Sequence, residues 1–311
     1  MKYDLLIIGG SAAGTTATIY ACRRGLKPLI IAKDLGGEVA TSGEIENWPG
    51  ILHTEGFELS SQFRKHMEAY KPEIAEGSVV TKLEKRGEGD FAITADDGKI
   101  YEGRAVVVAS GIHPKELGVP GEKEFRLKGV SYCTVCDGPI FTGKKTVTIG
   151  GGNSALESAL MLADIAAEVT VVNKNAQFKG DQVLMDNLKT KKNVTVLYEA
   201  MTTDFFGDPP AGGGGFVKGL HYTDKSGASH ELLFDGSFVH IGNIPNSTFV
   251  PADVAKDQFG AIKVDASCVT SVPGIFAAGD VTDTPHKQIV IAAGMGATAA
   301  LSAVQYINRL S

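Results

Sequence analysis

No block of lysines and arginines occurs anywhere in the 311 residues, and the formal net charge is −6. Nucleic-acid binders carry a basic footprint, so that class is excluded. The apolar runs read as too short to cross a bilayer, so no membrane association is expected. No signal peptide is read either, because Lys2-Tyr3-Asp4 and Leu5–Ile8 lead directly into glycines. Cysteine is scarce. Of the four, Cys22 and Cys268 stand alone, which excludes a secreted disulfide framework and fits a cytoplasmic protein. There is no second CxxC to complete a zinc site, so no metal is expected. Aromatics make up only 7%, with one tryptophan, Trp48, read as a packing residue.

Glycine, by contrast, is abundant at 38 residues, and much of it falls directly after apolar strands. Residues 4–8 (DLLII) read as a strand, GGSAAG follows at 9–14, a small-residue helix runs to about Arg24, and PLIIAK at 28–33 is the next strand. The order then returns: strand Thr146–Ile149, GGGNSA at 150–155, a helix to about Ala166, and strand EVTVV at 168–172. Each copy has a later apolar strand, in VVVASG at 106–111 and FVHIG at 238–242. These are two strand–turn–helix–strand units of the dinucleotide-binding kind. The expected fold is therefore α/β with two Rossmann-like dinucleotide-binding domains, the second inserted in the first. Residues 1–115 and 248–311 form one and 116–247 the other, with Pro114, Pro120 and Pro245 at the crossings. Strands with a hairpin at Asp96-Asp97-Gly98 are expected between Val79 and Lys99. The run Gly212–Gly215 is read as a flexible hairpin tip, and Gln288–Leu310 as a long helix.

In GxGxxG loops the first glycine makes a tight turn, the second admits a pyrophosphate, and the third lets helix pack on strand. Gly9 and Gly14 fill the first and third positions of the first loop around Ser11, Ala12 and Ala13; Ser11 departs from the pattern. Asp34, 20 residues past Gly14, is a candidate acceptor for ribose hydroxyls. Late in the chain, GIFAAGD at 274–280 sets Gly279 and Asp280 after a buried strand, where a carboxylate can bind a polyol. The second loop is regular, with Gly150 and Gly152, then Asn153, Ser154 and the accepted small variant Ala155. After its second strand come Asn173 and Lys174, where an acid selects NADH and arginines select NADPH. One lysine is not a bidentate fork, so the lean is to NADH.

The chemistry centres on Cys133-Thr134-Val135-Cys136-Asp137-Gly138. Cysteines at this spacing can close a small disulfide, and one thiol is usually acidified. Asp137 is the candidate general acid and base for the exchange. Cys22 and Cys268 read as buried fillers.

Over nearly its whole length, from Tyr3 to Leu310, the chain resembles the low-molecular-weight thioredoxin reductases. Within that group it is similar to the flavoprotein subunit of alkyl hydroperoxide reductase. The resemblance rests on the first glycine loop, IENWPG at 45–50, VPGE at 119–122, YCTVCDGPIF at 132–141, GGGNSALE at 150–157, KGDQVL at 179–184, IGNIPN at 241–246 and TSVPGIFAAGD at 270–280. It implies an FAD-dependent reductase whose Cys133/Cys136 disulfide takes electrons from NADH or NADPH and passes them to a thioredoxin-like or glutaredoxin-like protein. It also implies a homodimer, a second domain that swings, and Cys136 as the cysteine facing the flavin. Around FAD it places Gly111, Asn47, Lys287, Gln288 and Ile289 beside the first loop and Asp280, with Trp48 packing nearby. The family's Gly-Gly-Gln is here Gly36-Gly37-Glu38, which puts Glu38 near the flavin. Alternatives are a reductase serving a peroxiredoxin through a separate carrier, one fed by a non-nicotinamide donor, or a nucleotide-bound redox sensor. The N-terminal thioredoxin-like part of the peroxide-reductase flavoprotein has no counterpart here, so a separate carrier is expected. Among the histidines, His286 is singled out because it lies between Asp280 and Gln288.

Overall fold

The computed structural model describes residues 2–208 and 215–310. Most of the glycine run read as a hairpin tip, 212–214, lies outside the described residues. The chain divides into two compact units: Met1–His113 with Ile244–Ser311, and Pro114–Asn243. Both crossings come slightly earlier than the prolines suggest. Two short strands, Ile112–Pro114 and Asn243–Pro245, pair there.

The first unit is built on five parallel strands in the order Glu73–Glu76, Pro28–Ala32, Lys2–Ile8, Ile100–Val108 and Ile275–Ala277. A parallel strand is covered on both faces, so it reads as a continuous apolar run, as Leu5-Leu6-Ile7-Ile8 does. Period 2 then sorts those residues. Leu5 and Ile7 face Ala13, Ala17 and Ala21 of the helix Ala12–Arg23 and Ala299, Ala300 and Ala303 of the helix Ile289–Arg309. Leu6 and Ile8 face Phe91, Ile93, Val250 and Ile262. The strands Val80–Gly87 and Asp90–Ala95 add an antiparallel flap, turning at residues 96–98 onto Ile100–Val108.

The helix Ile289–Arg309 corrects one expectation. Gln288–Asn308 carries no charge, and among the described residues this helix alone is long and apolar enough to cross a membrane. Its many Gly, Ala, Ser and Thr residues hide that length in the sequence. Here a small-residue face lies on the first helix, so close that a Cβ at Gly296 would stand 2.2 Å from the Ala13 carbonyl oxygen.

The second unit repeats the plan with a five-stranded parallel sheet: Val130–Ser131, Gly236–Val239, Lys145–Ile149, Glu168–Asn173 and Val194–Tyr198. The helix Asn153–Ala163 packs on it through Leu156, Ala159 and Leu162. A three-stranded antiparallel sheet, Met201–Gly207, Val217–Thr223 and Ser229–Leu233, covers the other face through Phe205 and Leu220. Both fold-class expectations, parallel sheet and duplicated nucleotide-type unit, match this architecture.

Candidate functional site: two glycine loops and a redox pair

Backbone crowding explains the first loop. Gly9 has φ +109°, and a Cβ there would stand 2.2 Å from the Ala109 carbonyl oxygen; one at Gly14 would stand 1.8 Å from Gly9 O. Both positions therefore exclude any side chain. Ser11 is different. It is the N-cap residue of the helix Ala12–Arg23, with an ordinary φ of −96°, so serine is accommodated. Its side chain lies 3.1 Å from where a Cβ would project at Gly37, which has φ +55°. The bulk that Ser11 adds is matched by what Gly37 lacks. No side chain caps this helix and its first turn has no acid, so its amides are open to an anion.

Gly279 (φ +74°) packs close to Ala13, which brings Asp280 to this loop. Asp280 Oδ1 is buried without a hydrogen-bond partner. Burial pushes the Asp280 carboxyl up to about 6, against the pull of Lys287 and with a further rise from Glu38. A buried acceptor with no donor suits a polyol hydroxyl. Lys287 donates to the Thr282 carbonyl at 2.6 Å, and burial lowers its pKa. Asn47 Nδ2 donates to Gln288 Oε1 at 3.2 Å, joining two residues 241 positions apart. Ile289 and Trp48 pack on Ala12, Val39 and Leu59. Asp34 is partly occupied, since its Oδ1 accepts from Gly37 N at 2.7 Å. Gly111 has φ +68° with open space around it, and His286 is exposed. These residues fit FAD: bare helix amides for its pyrophosphate and an unpaired carboxylate oxygen for its polyol chain.

In the second unit Cys133 and Cys136 are joined as a disulfide, with Cα atoms 5.3 Å apart. Cys133 caps the short helix Thr134–Asp137, and Cys136 N donates to Cys133 Sγ at 3.2 Å. That N–H favours a thiolate on Cys133 once the bond opens. Ser131 Oγ donates to Asp137 Oδ2 at 2.5 Å and accepts from Cys133 N at 3.1 Å, so one hydroxyl ties the acid to the cysteine backbone. Val135 and Ile140 expose apolar surface around the pair. Glu122 is wholly buried and accepts from Leu117 N, Gly118 N and Tyr132 Oη at 2.7–2.9 Å. Burial and this bond raise the Tyr132 phenol.

The second loop follows the first in outline. A Cβ at Gly150 (φ +149°) would stand 2.2 Å from His240 O, and one at Gly151 2.5 Å from Asn173 Oδ1. Gly152 has open space and begins an uncapped helix, while Ala155 is fully buried. Asn153 and Asp181 bond reciprocally at 2.8 and 2.9 Å, and Lys179 N donates to Gly151 O, so KGDQVL closes one flank. Ser154 and Lys174 are exposed. Asn173, read as a ribose contact, is wholly buried: its Oδ1 accepts from Asn175 N and Nδ2, and its Nδ2 has no partner. Nothing in the sequence marks Ser131, and the motif KGDQVL gives no sign that Lys179 and Asp181 close this flank, because each acts through a fold-made contact.

Among known proteins, the family profile described as pyridine nucleotide-disulphide oxidoreductase matches residues 3–296. The chain is 40% identical over 310 residues to the F subunit of alkyl hydroperoxide reductase from Escherichia coli, covering 99% of this chain and 58% of that protein. It is 38% identical over 308 residues to a protein named NADH dehydrogenase from Ferdinandcohnia aciditolerans, again covering 99% and 58%. The chain thus spans less than two thirds of these curated relatives. The crystal structure of thioredoxin reductase from Streptococcus pyogenes superimposes with a TM-score of 0.91 at 33% identity, covering 99% of both chains.

Proposed function

The chain belongs to the pyridine nucleotide-disulphide oxidoreductase family, and on that premise we propose that it is a thioredoxin-disulfide reductase. FAD would be held by Gly9–Gly14, Asp34, Gly37, Asn47, Gly111, Asp280 and Gln288. A nicotinamide nucleotide would be held by Gly150–Ala155 with the exposed Lys174, since Asn173 is buried. The observation that carries the reading is the Cys133–Cys136 disulfide, set beside a carboxylate in a unit with its own glycine loop.

When bound, FAD supplies a two-electron carrier between nicotinamide and disulfide. Reduction breaks the Cys133–Cys136 bond, and Cys136 N–H stabilises the Cys133 thiolate. That thiolate attacks one sulfur of the partner's disulfide, forming a mixed disulfide and releasing the partner's other sulfur, which Asp137 protonates. Cys136 then passes its proton to Asp137 and attacks Cys133 Sγ, which restores the internal bond and releases the partner's first sulfur. That sulfur takes the proton from Asp137, leaving the partner a dithiol. Exposed Val135 and Ile140 give that partner an apolar rim to rest on. The enzyme works as a homodimer in the cytoplasm on a thioredoxin-like or glutaredoxin-like protein. The likeness to the alkyl hydroperoxide reductase protein favours a second reading, in which the carrier serves a peroxiredoxin.

Rapid mixing of the yellow protein with NADH or NADPH, followed by candidate thioredoxins in their disulfide form, tests the proposal; reduced protein that no such disulfide reoxidises would overturn it. Asp137→Asn should slow thiol exchange by about 10²-fold, the usual worth of a positioned acid, with little change in flavin reduction. Equal slowing of both steps would remove Asp137 from proton transfer. Lys174→Glu, at the exposed residue after the strand Glu168–Asn173, should raise the NADH over NADPH preference by about tenfold, equivalent to ~1.4 kcal/mol. An unchanged ratio would place nucleotide selection elsewhere.

A further inference from the structure

Thr134, between the two cysteines, is buried, and its hydroxyl has two side-chain partners. It lies 2.8 Å from His240 Nε2 and 2.7 Å from Ser158 Oγ. Ser158 in turn meets Thr148 Oγ1 at 3.3 Å. His240 directly follows the strand Gly236–Val239; its N–H donates to Ile149 O at 2.8 Å, and its carbonyl oxygen fills the space that a Gly150 side chain would need. One hydrogen-bonded cluster thus joins the cysteine helix to the helix and strand that frame the second glycine loop. Burial pushes the His240 imidazole down to about 4, so the ring is neutral at physiological pH.

Thr134 opens the helix whose first turn carries Cys136 N–H to Cys133 Sγ. Whatever fixes Thr134 also fixes that donor. We propose that His240 is a positioning residue for the redox pair: through Thr134 it holds the Cys136 N–H on Cys133 Sγ and thereby stabilises the reduced, thiolate form. This rests on the disulfide-reductase reading of the pair, and it goes beyond it by assigning a residue outside the CxxC segment. Partly satisfied buried polar clusters are costly, so losing the imidazole leaves Thr134 and Ser158 to rearrange and loosens the turn.

The test equilibrates FAD-loaded wild type, His240→Leu, His240→Gln and Thr134→Val with dithiothreitol redox buffers. Trapping of the thiols then gives the fraction of reduced pair. His240→Leu and Thr134→Val should each shift the equilibrium at least fivefold toward the disulfide and slow alkylation of Cys133 at pH 7 at least threefold. His240→Gln, which retains a donor and an acceptor, should recover to within twofold of wild type. The His240→Leu/Thr134→Val double variant should be no worse than Thr134→Val alone, because Thr134→Val already removes the bond to His240. Equilibria and alkylation within twofold of wild type in the Leu and Val variants, or additive effects in the double variant, would overturn the inference. If His240→Leu does not fold, Thr134→Val alone decides between these outcomes. Loss of disulfide turnover is not the readout, so failure here is distinguishable from failure of the proposed reaction.

Discussion

Cys136→Ser protein should bind FAD and be reduced by nicotinamide nucleotide normally, yet lose disulfide turnover by a factor on the order of 10³ or more, as expected when an essential sulfur is removed. It should also trap its partner. Cys133 still attacks the partner's disulfide, but no second sulfur remains to resolve the mixed species, so a covalent complex should appear on non-reducing gels. Cys133→Ser should lose turnover equally and trap nothing under the same conditions. The contrast assigns the roles, because Cys136 N–H favours charge on Cys133. Rescue by the other cysteines is not expected. Cys268 is buried with its thiol pushed up to about 11, and burial raises the Cys22 thiol as well, so neither is a ready nucleophile. Turnover retained in both variants would sink the electron route.

Asp280→Asn is the second large effect. The carboxylate holds a buried oxygen without a donor, and a hydroxyl bonded to a charged acceptor is worth about 1.5–3 kcal/mol. FAD retention should therefore fall roughly 10- to 100-fold, visible as lost yellow colour after desalting. The flavin-free protein gives the converse signal. Because the folded carboxyl titrates near 6 and the unfolded one near 3.8, the folded state holds the extra proton between those values. Stability of wild type relative to the asparagine variant should thus fall as pH rises from 4 to 6, by at most about 3 kcal/mol. His240 acts in the opposite sense: its folded value near 4 lies below 6.5, so its contribution is lost as pH falls through that interval. Comparing wild type with Asp280→Asn cancels the histidine and isolates the carboxylate. Melting curves that run parallel from pH 4 to 7 would mean that Asp280 is not desolvated, and an undiminished flavin content would release it from the polyol role.

Local signals made much of this legible. Leu5–Ile8 and Thr146–Ile149 announced parallel strands because both faces are covered, and the glycines after them announced close backbone approach. Asn47 and Gln288, which the family resemblance assigns to one cofactor, share a hydrogen bond across 241 positions. The remainder depended on tertiary proximity. Ser11 looked like a defect until Gly37 appeared opposite it, since the compensation is spread over two loops. Asn173 looked like a surface selector, but the end of its strand turns inward against Gly151. His240 looked like one strand residue among others, because its partners Thr134 and Ser158 lie far away along the chain. Residues chosen for whom they touch leave little trace in a one-dimensional pattern.

The seating of Gly296 on Ala13 has a bearing on biosynthesis. The helix behind the first glycine loop, Ala12–Arg23, is made well before the helix that supports it from the far side, Ile289–Arg309. A ribosome-bound chain can therefore complete the contiguous unit Pro114–Asn243 while the surrounding unit is still open. Closing contacts so distant in sequence is slow, and apolar surface stays exposed in the meantime. Competence to take up cofactor should therefore wait until residues 289–309 have left the exit tunnel.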